Sequence, residues 1–169
     1  MKLRLLLFGD CDRRCQKCCN KDWDLDALPV CENYAGYSEI LLTGGEPLLK
    51  PDVVKRVVSE IRAQSDAPIY LYTAKTDDVK AFIDTLFLVD GMTVTLHRQK
   101  DLTPFVELDK ALESCMIMSG KSMRLKTFAA VSMAGIEISS CWQHKDGIKW
   151  IPNCPLPKDE VFMRVKGVA

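Results

Sequence analysis

An α/β protein built on parallel strands is the fold class predicted by two features of the sequence. Short apolar runs recur at residues 3–8, 39–43, 69–73 and 92–97, and segments with helical apolar stripes follow the second, third and fourth of them. Alternation of this kind joins parallel strands by crossovers, so about four strand–helix units are expected, followed by a β-rich tail.

The elements follow in order. Residues 3–8 read as a short buried strand that runs straight into "GDCDRRCQKCCNKDW", which begins at Gly9. Residues 20–37 lack periodicity and are expected to form a loop with at most one short helix. "EILLT" (39–43) is a second strand, ending in "GGEPLL". In "PDVVKRVVSEIRAQ", Val53, Val54, Val57, Val58 and Ile61 share a helical face, and Pro51 suits the first turn. "IYLYT" (69–73) is a third strand. Thr76 is placed to cap the next helix, where Val79, Phe82, Ile83, Leu86 and Phe87 share a face and Gly91 falls near the end. "MTVTLH" (92–97) is a fourth strand, and Thr103-Pro104 opens a third helix with Phe105, Val106, Leu108 and Leu112 inward.

Past residue 120 the helical signals thin out. "MRLKTFAAV", "GIEIS", "GIKWI" and "VFMRV" read as short strands, and Asp146-Gly147 is a hairpin-turn candidate. Such a hairpin sets residue 141 opposite 152 and makes Cys141 and Cys154 diagonal neighbours, both read as free thiols. The tail over 120–169 caps the sheet, completes it or contributes to a pocket. No linker or repeat divides the chain, so residues 1–169 are read as one domain.

Lys plus Arg and Asp plus Glu balance at 23 each, so nothing advertises a polyanionic partner or an anionic membrane. "MKLRLLLF" imitates an export signal, but its apolar run is broken by Arg4 and falls short of the ~7–15 residues such a signal needs. No stretch approaches the ~20 apolar residues of a membrane span. A cytoplasmic chain is expected, where clustered thiols point to metal or redox chemistry more than to disulfides.

Cys11, Cys15 and Cys18 read C-x3-C-x2-C within a loop that also holds Arg13, Arg14 and Lys17. A structural zinc takes four ligands, usually as two separated pairs, and here there is one tight group, with His97 and His144 remote in sequence. Cys19 as fourth ligand adjoins Cys18. An iron–sulfur cluster suits the loop better, because a cubane accepts thiolates at separate corners; three thiolates leave one iron open. The basic residues between the cysteines are expected to favour thiolates. After the second strand, Gly44 and Gly45 read either as turn residues with unusual dihedrals or as bare backbone for close ligand approach, with Glu46 offering a carboxylate to a cationic amine. Ligands of parallel sheets gather at the carboxyl ends of strands, so the cysteine loop and "GGEP" are expected side by side.

A C-x3-C-x2-C loop after strand one followed by GGEP after strand two resembles the radical S-adenosylmethionine (radical SAM) superfamily. The resemblance implies a short or partial (β/α) barrel. It implies that Cys11, Cys15 and Cys18 hold a four-iron four-sulfur cluster, and that Gly44, Gly45, Glu46 and Pro47 form the turn that binds S-adenosylmethionine. It implies reductive cleavage of that cofactor to a 5′-deoxyadenosyl radical for hydrogen abstraction, fed by an external one-electron reductant such as flavodoxin or ferredoxin. Thr73 and His97, at the ends of strands three and four, become candidate cofactor contacts, and Lys75 and Arg98 candidate partners for its carboxylate. The chain departs from the family in having Lys17 where an aromatic residue often precedes the third cysteine.

"CCNKDW", "IYLYTA" and "LVDG" are similar to the small activases of anaerobic ribonucleotide reductase, which form a glycyl radical on a partner protein, although those commonly show GGDP. A second reading is a small-molecule enzyme resembling the 7-carboxy-7-deazaguanine synthases. A third is a non-catalytic zinc-binding or electron-transfer module. Cys31, Cys115, Cys141 and Cys154 carry no assigned role, and Trp142 and Trp150 are core or edge aromatics, either of which could line a pocket.

Overall fold

The computed structural model describes residues 1–13, 15, 18–114 and 120–167. Its strands are β1 (Lys2–Leu6), β2 (Glu39–Thr43), β3 (Ile69–Thr73), β4 (Gly91–Leu96), β5 (Ser122–Phe128), β6 (Trp142–Ile148) and β7 (Glu160–Arg164). All seven join one parallel sheet in the order β6-β5-β4-β3-β2-β1-β7. Six strands are thus laid side by side in chain order, and the last returns to the far edge beside β1. Among the described residues, the α-helices are α1 (Pro51–Arg62), α2 (Val79–Leu88) and α3 (Leu102–Glu113), which follow β2, β3 and β4. The α/β class is as expected. β1 leads instead into the cysteine loop and a 3₁₀ turn at Cys19–Lys21.

Alternation along the strands divides the sheet into two unlike faces. Register sets Leu3 beside Ile40, Leu5 beside Leu42, Leu42 beside Leu71, and Leu71 beside Met92. These side chains are wholly buried with Val54, Val57 and Ile61 of α1, Phe82 and Leu86 of α2, and Phe105 and Leu108 of α3. Each contributes roughly 1.5–3 kcal/mol of hydrophobic stabilisation before entropy is counted. The other parity, here termed the inner face, carries Arg4, Tyr70, Tyr72, Thr93, Thr95, Arg124 and Lys126.

Pro51 occupies the first turn of α1 as its fixed φ suits. The cap of α2 is Asp78, whose Oδ1 accepts from the Ala81 N–H at 2.9 Å; Thr76 is buried instead. On α2 the buried stripe runs through Phe82 and Leu86, and Phe87, 62% exposed, falls about 100° beyond it. In α3, Asp109 is buried and accepts from Ser139 N–H (3.0 Å) and Trp142 Nε1 (2.7 Å), fastening the β5–β6 crossover to the helix.

The tail completes the sheet at both edges. "MRLKTFAAV" supplies β5 and "VFMRV" supplies β7, whereas "GIEIS" (135–139) is crossover and not strand. The expected hairpin at Asp146-Gly147 does not form. Both residues lie inside β6, which runs parallel to β5. Gly147 does adopt a positive φ of 67°, but it spends that freedom near a register shift opposite Lys126 and Phe128, a bulge and not a reversal. Cys141 and Cys154 therefore do not meet. Cys154 is in a disulfide with Cys19, which corrects the free-thiol expectation for it, while Cys141 stays a thiol 3.1 Å from Ser139 Oγ. Among the described residues, no helix is long and apolar enough to cross a membrane.

Candidate functional site

Strand pairing continues past the ends of β1 and β2 and zips their loops together. Leu7 N–H donates to Thr43 O, Gly45 N–H to Phe8 O, and Glu46 N–H to Asp10 O, each at 2.8 Å. Asn20 Nδ2 adds a bond to Gly44 O at 2.7 Å, and Lys50 pairs with Asp10. The glycines serve this contact by being small. Neither has a positive φ, yet a Cβ on Gly44 would stand 2.7 Å from Phe8 O, and one on Gly45 only 1.7 Å from Asp10 O. Of the two readings, the turn residue with a positive φ is not what these glycines are, and the chain that approaches closely is the cysteine loop.

Glu46 locks the same turn to the end of β3. Its carboxylate is 1% exposed and accepts from Thr73 Oγ1 at 2.5 Å, Ala74 N–H at 2.9 Å and Leu48 N–H at 3.2 Å. Burial pushes its pKa up, and the hydrogen bonds from Thr73, Ala74 and Leu48 pull against that. A carboxylate has roughly four acceptor positions, so these donors leave capacity for one more. Thr73, proposed from sequence as a cofactor contact, is committed to Glu46.

The end of β4 is tied to the cysteine loop through Asp101. This buried carboxylate accepts from His97 N–H and Arg98 N–H, both at 3.0 Å, and stands 2.5 Å from Arg13 Nη2. The Arg13 contact is ionic and not an aligned hydrogen bond; among the described residues Arg13 Nε, Arg13 Nη2 and Arg98 Nε have no hydrogen-bond acceptor. His97 Nδ1 lies 3.9 Å from Cys15 Sγ, and its ring stacks on Trp150, with centroids 5.1 Å apart. Burial first, then Arg13, lowers the His97 pKa to about 4, so the imidazole is neutral at pH 7. Burial likewise pushes the Cys11 and Cys15 thiols up. At Cys15, Arg13 and Arg98 pull down without overcoming the burial. Arg14 and Lys17 lie outside the described residues.

One cavity of about 270 Å³ opens where these loops meet, lined by Cys11, Cys15, Cys18, Gly45, Glu46, Thr73 and His97. Gly44 packs behind it against Phe8, and Pro47 starts a buried 3₁₀ turn. Lys75 is held by Asp77 at 2.8 Å, and Arg98 by Asp101 at 3.7 Å. Cys31 is buried and donates to Asn33 O, and Cys115 lies outside the described residues. Sequence reading missed Arg4, Asn20, Tyr72 and Thr95 as cavity walls, and Asp101 as the clasp behind them. The strand residues among these were findable from alternation, since Tyr72, Thr95 and His97 share the inner parity; Asp101 and Asn20 carried no signal. Among the described residues no three His, Cys, Asp or Glu side chains converge to hold a single metal ion.

The fold and site together define a parallel α/β protein with a thiol-lined cavity at the carboxyl ends of its strands. No family model, curated protein or solved structure matches the chain.

Proposed function

We propose that this chain is a radical SAM enzyme whose singly wound, open-edged sheet serves as a short or partial barrel. One observation carries the reading: three thiols of a single loop line one cavity with the glycine–glutamate turn, and the two loops are bonded backbone to backbone. Soft thiol donors suit iron–sulfur ligation, and Arg13 Nε and Arg98 Nε, buried without an acceptor although both guanidiniums pair with Asp101, suit a group of negative charge. Cys11, Cys15 and Cys18 would hold the four-iron cluster, and the turn from Gly44 to Pro47 would receive the methionine end of S-adenosylmethionine. When bound, the pair supplies a one-electron reductive cleavage that yields a 5′-deoxyadenosyl radical.

The chain's own residues set the conditions for that chemistry. Asp101 holds the backbone of His97 and the side chain of Arg13 together, so the cysteine loop is aligned with the end of β4. Glu46 aligns the turn with the end of β3 and keeps acceptor capacity for an ammonium. His97, neutral, stacked on Trp150 and tilted against Phe128, gives an apolar wall that excludes water.

The test is anaerobic reconstitution with iron and sulfide, followed by reduction in the presence of S-adenosylmethionine. Formation of 5′-deoxyadenosine, lost in Cys15→Ala, is the expected result. Equal product from wild type and variant, or none from either, sinks the reading.

A further inference from the structure

Two cations on the inner face of the sheet, Arg124 and Lys126, have no anion to answer them among the described residues. Arg124 and Lys126 extend from β5 across β4, whose inner residues Gly91, Thr93 and Thr95 are small, and reach rings of β3. Arg124 Cζ lies 5.0 Å from the Tyr70 ring and Lys126 Nζ 5.2 Å from the Tyr72 ring. Neither has a carboxylate partner among the described residues. Lys145 follows Lys126 in register on β6, and Arg4 adds a charge from β1, paired with Glu160.

That arrangement is costly unless something negative completes it. Burial depresses the Lys126 ammonium, and Arg124, Lys145 and Arg4 depress it further. A solvated charge run would shed its cost into water, but Lys126 is half-buried on the floor of the sheet. The position also matters. Tyr72, under Lys126, and Thr95, its register partner, both belong to the wall of the thiol-lined cavity, as does Arg4. A polyanion is a poor fit, because the chain's charges balance at 23 of each sign and offer no extended basic field.

We propose that Lys126 and Arg124, supported by Arg4 and Lys145, form an anion subsite on the inner face, and that the substrate is a small molecule bearing a phosphate or carboxylate placed beside the cavity. Its role as a substrate subsite rests on the radical SAM reading; its anion binding does not. The rings of Tyr70 and Tyr72 hold the two cations in place, and the anion takes the directions the rings leave free.

Calorimetric titration of the protein as purified, without added iron or cofactor, tests this with inorganic pyrophosphate and with malonate at fixed ionic strength. The pyrophosphate arm reports a phosphate substrate and the malonate arm a carboxylate. At least one probe is expected to bind at one site per chain. Lys126→Gln and Arg124→Gln should each weaken it about tenfold, with Lys126→Arg within about threefold of wild type, as for a charge-assisted contact. Lys80→Gln, on the exposed face of α2, should leave binding unchanged. Absence of binding by both probes, or equal weakening by Lys126→Gln and Lys80→Gln, overturns the proposal. Because neither probe needs the cluster, a failure here leaves cofactor cleavage to be judged separately, and a failure of cleavage leaves this titration standing.

Discussion

Replacing Gly45 with alanine probes how the two loops are joined. The added Cβ would lie 1.7 Å from Asp10 O, 2.2 Å from Asp10 C and 2.6 Å from Gly9 O, all backbone atoms that cannot rotate away. Relief requires the loops to part by about 1.5 Å, which is enough to break well-formed hydrogen bonds. Two such bonds are at stake, Gly45 N–H to Phe8 O and Glu46 N–H to Asp10 O. At about 1 kcal/mol net for each, with ~1–3 kcal/mol for overpacking, Gly45→Ala should destabilise the protein by about 3–5 kcal/mol. In urea, with a slope of about 2 kcal/mol per molar, the midpoint should fall by about 1.5–2.5 M. Gly9→Ala is the internal control, because a Cβ there meets nothing within 4 Å. It should shift stability by no more than about 0.5 kcal/mol. A Gly45→Ala midpoint equal to wild type, or an equal fall in Gly9→Ala, would refute the zipped-loop geometry.

Two further outcomes follow from contacts elsewhere in the fold. The Cys19–Cys154 disulfide closes a loop with a sequence separation of 135, so Cys154→Ser should cost about 2–4 kcal/mol. Under non-reducing alkylation of the unfolded wild type, mass spectrometry should find those two cysteines blocked, and full alkylation of all eight would dismiss the bridge. Asp90 tests the pH response: burial pushes its carboxyl up, but the Ile69 N–H at 2.7 Å and Arg62 at 2.5 Å outweigh that and hold it below the usual range. A depressed folded pKa gives stability that is present above the unfolded value, about 3.9, and is lost as pH falls through the folded one. Asp90→Asn should therefore cost about 1 kcal/mol at pH 7, discounted for its exposure, with the gap narrowing below about pH 4. A gap that stays constant from pH 7 to pH 3 contradicts the assignment.

The order of strands and helices through α3 was legible because each buried face repeats at the period of its element. Val54, Val57, Val58 and Ile61 mark α1 as plainly as Leu3 and Leu5 mark β1. Phe87 was misplaced because a five-residue apolar arc is wider than the stripe α2 buries. Asp146-Gly147 misled for a different reason. The dipeptide reports a tolerance for positive φ, which Gly147 uses, but a parallel neighbour converts that tolerance into a bulge. The partner of β7 was out of reach, since pairing with β1 across the chain leaves no local pattern. At the site, the side-by-side loops were legible from the carboxyl-end rule, and Cys11, Cys15, Cys18, Gly45, Glu46, Thr73 and His97 do share a cavity. Asp101 was not legible, because a buried carboxylate that clasps two loops looks in sequence like any helix-leading acid.

The most direct measurement is the electron paramagnetic resonance spectrum of the anaerobically reconstituted, reduced protein before and after S-adenosylmethionine is added. The account predicts a four-iron signal whose line shape changes on addition, as one iron without a protein ligand takes up the cofactor. A signal indifferent to the cofactor, or iron that never exceeds one ion per chain, would contradict it.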